Sequence, residues 1–174
     1  MNTRWGFFTL CAFLFWAKTI FVYLVDFHLG VSGIYQYFVL LINPIATTLL
    51  IFSIALYIKR TLPAYLCLFL LYTANSVLLL ISVIYYREFT DFMTINVIFG
   101  YSSVSQGLST SSFSMVKPQD IAIIGDLIVV LILLLLKKIK LDERPIVRKQ
   151  AVAMTSFSLF FLMLNITLGE IDRP

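Results

Sequence analysis

Charge is scarce in this chain. Asp, Glu, Lys and Arg make up 13% of its 174 residues, against about 25% in ordinary soluble domains. Hydrophobic residues make up 60% and aromatics 16%, more apolar surface than a soluble domain of this size can hide. A lipid bilayer must therefore act as the solvent. Cysteine is equally sparse: Cys11 and Cys67 both fall in apolar runs, which excludes a disulfide framework and any metal-ligand spacing and leaves two small buried hydrophobes. The single histidine, His28, reads as a turn residue. A Ser-His-Asp arrangement, a glycine-rich phosphate loop and a His/Asp/Glu cluster are all missing, so the chain alone carries no catalytic set and no cofactor site. No small-residue cleavage pattern closes the first apolar segment, which is read as retained. The lack of an internal repeat or an inverted pair of broken helices weakens a secondary-transporter reading.

What the sequence does have is an abrupt junction. The run IAIIGDLIVVLILLLL at 121–136 turns directly into KKIKLDERPIVRK at 137–149. About 20 apolar residues cross the roughly 30 Å hydrocarbon core as a helix, and basic loops stay cytoplasmic. The expected architecture is all-α and polytopic, with membrane helices over residues 5–25, 34–58, 64–86, 119–136 and 151–168. Phe89, Phe92 and Met93 share one side at helical spacing, which predicts a short interfacial helix over 88–99. Residues 100–114 are rich in Ser and Gly and read as a loop. Pro44, inside the second span, predicts a kink near Asn43 and carbonyls in need of partners.

Five crossings put the two ends on opposite sides. Nine Lys or Arg fall on one side (Arg4, Lys59, Arg60, Lys137, Lys138, Lys140, Arg144, Arg148, Lys149), three on the other (Arg87, Lys117, Arg173), and Lys18 lies within a span. The N-terminus is thus expected in the cytoplasm and the C-terminus outside. The net charge of +4 sits in short loops beside apolar spans, a pattern that suits anionic lipid and not nucleic acid.

Ionisable groups inside spans mark a function or a partner. At 1.5 Å per residue, Lys18 lies about 12 Å, Asp126 about 9 Å and Asn43 about 13 Å from the outer boundary. Asn165 lies nearer the outward end of the last span. These depths allow a Lys18–Asp126 ion pair, and two readings compete for it. In one, the pair clips the first helix to the fourth while Asn43 serves carbonyls freed by Pro44. In the other, Lys18 and Asn43 line a cleft in which Lys18 meets a lipid phosphate. Arg87, Glu88 and Asp91 stand where the third span emerges, either as a solvated rim or as headgroup contacts.

Particular strings then carry a resemblance. VDFHLG at 25–30 comes after a first span containing Lys18 and Thr19, LLINP stands at 40–44, YYREFTDF at 85–92 and GEIDRP at 169–174. In this order they resemble the lipoteichoic acid synthases of Gram-positive bacteria. The resemblance implies five membrane helices and then an extracellular sulfatase-like domain. There a threonine nucleophile and a manganese or magnesium ion move glycerol phosphate from phosphatidylglycerol to a polyglycerol-phosphate chain, releasing diacylglycerol. The sequence stops at Pro174, before such a domain, so the nucleophile and the metal ligands are expected beyond it. Implied partners are those two lipids, the chain's own catalytic domain and cell-wall or division proteins. A non-catalytic anchor or interaction module, or a small transporter or flippase, would be the alternatives.

Overall fold

The computed structural model describes residues 3–27, 33–89, 116–135 and 146–171. Within them the chain is helical, with no strand: α1 Thr3–Val25, α2 Ile34–Ser53, α3 Thr61–Phe89, α4 Ile121–Leu135 and α5 Arg148–Ile171. Short 3-10 turns extend α2 over Ile54–Tyr57 and lead into α4 over Pro118–Asp120. Four helices are long and apolar enough to cross a membrane. The 15-residue α4 rises only about 22 Å, so it needs the preceding turn to approach the hydrocarbon thickness. The chain is a polytopic helical membrane protein.

α3 runs longer than the 64–86 expected for it. Glu88 and Phe89 form its last turn instead of opening a separate interfacial helix. Residues 90–99 of that expected helix lie outside the described residues, as do His28 and Asp91.

The helices alternate in direction. Arg4 reaches the α2–α3 connection, donating to the carbonyls of Ile58 and Lys59 and to Thr61 Oγ1 at 2.8–3.3 Å. Ile146, just before α5, lines the same corner with Arg4 and Phe7. At the opposite end the tail of α1, the tail of α3 and the start of α4 converge through Asp26, Arg87 and Asp120. α5 passes Ser53 and Tyr57 with Thr155 near the Arg4 end, then Asn43 with Asn165. It therefore finishes toward the Arg87 end.

α1 is the central post, packed against α2 and α3. Its buried stripe of Phe8, Cys11, Phe15 and Val22 keeps helical spacing and meets Phe52, Tyr72, Leu127 and Val83 from the surrounding helices. Phe13, Phe21 and Leu24 face outward, as do large apolar residues on every other helix, and that surface requires lipid.

α5 packs chiefly on α2. Ala151 and Ser158 are almost fully enclosed there, small residues that let two helix backbones approach closely. Pro44 sits inside α2, which continues through it. Trp16 Nε1 on α1 donates to the Leu41 carbonyl in the turn before that proline, at 2.9 Å. That bond ties α1 to α2 beside the Leu40 carbonyl, the one whose helical partner the proline removes.

Candidate functional site

The polar interior lies between α1, α3 and α4, on two levels. Lys18, Val22 and Asp26 recur every four residues and so share one face of α1 and its C-terminal extension. Tyr72, Ser76, Val83 and Arg87, spaced by four, seven and four, share one face of α3. Asp120, Ile123 and Asp126 come from α4 and the turn before it.

On the deeper level, Lys18 Nζ lies 2.7 Å from Asp126 Oδ2 and 2.9 Å from Oδ1. The same ammonium donates to Ser76 Oγ at 2.8 Å and to the Ile123 carbonyl at 3.3 Å. An ammonium has three N–H groups, and three acceptor groups receive them here. Tyr72 hydroxyl donates to Asp126 Oδ2, and the Tyr72 ring lies under the Lys18 charge at 4.4 Å. Both charges are thus paired and further hydrogen-bonded, the condition under which ionised groups are tolerated inside a membrane.

Above this level Val22, Val83 and Ile123 close together as an apolar plug, none more than 2% exposed. The outer level lies beyond the plug. Arg87 forms a two-pronged bridge to Asp120, with Nη1 to Oδ2 at 2.7 Å and Nη2 to Oδ1 at 2.8 Å. Its Nη2 also bonds Asp26 Oδ1. The Lys117 backbone N–H caps Asp120 at 2.8 Å, and Tyr86 hydroxyl donates to the Phe27 carbonyl at 3.2 Å. One guanidinium therefore ties three helix ends together, with geometry that a lysine could not reproduce.

Among the expected site residues, the structure brings Lys18 to Asp126 and Asn43 to Asn165, whose Nδ2 donates to Asn43 Oδ1 at 2.6 Å. It does not bring Asn43 to Lys18. Arg87 is not a solvated rim residue: its side chain is 9% exposed and faces two carboxylates, each 3% exposed. Glu88 lies in the last turn of α3. Five contributors escape the sequence reading, Asp26 and Asp120 first, then Arg4, Tyr72 and Ser76. The signal available for the first two is their position, each within a few residues of a span end and therefore at the depth of Arg87. Arg4 enters from sequence only as a topological charge.

A groove of about 270 Å³ between α1 and α2 is lined by Ala12, Phe13, Trp16, Ile45, Thr48 and Leu49. Its one side-chain hydroxyl, on Thr48, has no partner among the described residues. Such a lining offers nothing to a hydrated ion. Nor do the described residues contain three His, Cys, Asp or Glu groups placed to hold a metal, so they do not fit a manganese or magnesium site.

A model of the lipoteichoic acid synthase N-terminal domain matches residues 1–174. The chain belongs to the lipoteichoic acid synthase family. It is 34% identical over 174 residues to the lipoteichoic acid synthase of Staphylococcus saprophyticus, covering 99% of this chain and 26% of that protein. It is 32% identical over 171 residues to the lipoteichoic acid synthase of Staphylococcus aureus strain USA300, covering 97% and 26%. It is 29% identical over 169 residues to lipoteichoic acid synthase 2 of Bacillus subtilis, again covering 97% and 26%. This synthase-family chain thus spans about a quarter of the length of the curated relatives it matches. No solved structure matches it.

Proposed function

We propose that this chain is the membrane half of a phosphoglycerol transferase, a rigid anchor that holds a catalytic domain beside the headgroups of the outer leaflet. The whole enzyme would move glycerol phosphate from phosphatidylglycerol to a polyglycerol-phosphate chain and release diacylglycerol. Its nucleophile and its manganese or magnesium ion would belong to the other half.

The observation that carries the anchor reading is the commitment of the buried cations. Lys18 directs its three donors at protein acceptors, and Arg87 is engaged by Asp26 and Asp120. A lipid phosphate would have to displace a carboxylate from either one. The tiers therefore favour holding helices over capturing headgroups. With the basic connections in the cytoplasm, α5 ends on the outer side and would deliver a catalytic domain joined to its end to the lipid surface. The apolar α1–α2 groove gives no support to an ion-transport reading.

Reconstitution in vesicles containing phosphatidylglycerol tests this directly. The expected result is diacylglycerol and glycerol-phosphate polymer from the full-length protein and neither from this chain alone. Turnover by the chain alone, or solute or lipid transport by it, would overturn the proposal.

A further inference from the structure

The exposed edge of the α2–α5 seam carries hydrogen-bonding capacity that the described chain leaves unused. Asn43 is exposed on α2 and Asn165 half-buried on α5, and a single bond of 2.6 Å joins them. Asn43 stands about 13 Å from the outer end of its helix, within hydrocarbon, and Asn165, about 4 Å from the end of the 151–168 span, meets it there. A primary amide offers two N–H donors and a carbonyl with two lone pairs. After the shared bond, Asn43 keeps its N–H groups and Asn165 its carbonyl. Exchanging O for N in both amides reverses the bond and leaves a complementary set.

Lipid tails supply neither donor nor acceptor, and at this depth water does not replace them. The surface that presents the same groups at the same level is this seam on a second molecule. A two-fold axis along the membrane normal preserves depth and brings Asn43 of each copy to Asn165 of the other. Amide bonds across helices are an established means of holding helices together in lipid. We propose that the chain forms a two-fold dimer in the membrane across this edge, with the Asn43–Asn165 pairs as its polar centre. The proposal is independent of the catalytic reading.

Single-molecule photobleaching of the full chain in liposomes, over a series of protein-to-lipid ratios, measures the monomer–dimer balance. Wild type is expected to pass from monomer to dimer as density rises. Asn43→Leu and Asn165→Leu together should move that midpoint about tenfold toward higher density. Asn75→Leu, which removes an amide bonded within its own helix to the Leu71 carbonyl, should leave it in place. A second readout does not depend on the leucine variants folding. Thr47→Cys, one turn along the exposed side of α2, is introduced with Cys11→Ser and Cys67→Ser, and should cross-link between copies. Wild type that stays monomeric at every density, asparagine variants that dimerise like wild type, or a Thr47→Cys chain that fails to cross-link would each overturn the proposal. Retained lipid on a monomeric chain would assign the amides to lipid instead.

Discussion

Lys18 shows how a charge becomes tolerable in lipid. It has a carboxylate, a hydroxyl, a backbone carbonyl and an aromatic face around it, so removing it leaves Asp126 with the Tyr72 hydroxyl but no counter-charge. Lys18→Met is expected to lower stability by about 3–5 kcal/mol, and Asp126→Asn in the same chain should restore much of it. Thermal unfolding in detergent measures both. A Lys18→Met chain as stable as wild type would remove the pair from its structural role.

Asp120 anchors the outer tier through its two-pronged bridge to Arg87. Asp120→Asn should weaken that tier, and limited proteolysis at the α3 and α4 ends would report the loosening. Protease resistance equal to wild type would remove the bridge from its structural role.

At the scale of elements, depth is legible in the sequence and pairing is not always so. Helical rise alone puts Lys18 and Asp126 at one level, and the structure joins them. Asn165 reads as shallower than Asn43, and spacing gives no hint that α5 leans on α2, where the two amides meet. Arg87 looks exposed from sequence because it closes an apolar run. Asp26 and Asp120 lie in segments distant in sequence, and only the convergence of three helix ends turns them into its partners.

The α2–α5 seam rests on small residues as much as on polar ones. Ser158 is fully enclosed there, so Ser158→Leu is expected to push the helices apart at a cost of about 1–3 kcal/mol. Hydrogen exchange should rise along α5 and not along α1 or α3. Uniform exchange across all five helices would contradict the close packing assigned to this seam.

For the whole molecule, the charge tiers and the alternating helices suit the proposed role of an anchor. α1, α3 and α4 are locked by ions, α2 and α5 by close packing, and the described C-terminal helix ends at the level of the outer tier. Arg4 secures the opposite end by binding the α2–α3 connection. The proposed role requires a direction as well as a shape, and the positive-inside rule predicts one from the basic connections. The most direct measurement uses a membrane-impermeant maleimide on intact cells, with Cys11 and Cys67 replaced by serine. A cysteine introduced as Asp172→Cys should label from outside, and one introduced as Asn2→Cys should label only after the membrane is opened. Labelling of Asn2→Cys in intact cells, with Asp172→Cys protected until lysis, would place the chain's end on the wrong side and contradict an anchor for outer-leaflet chemistry.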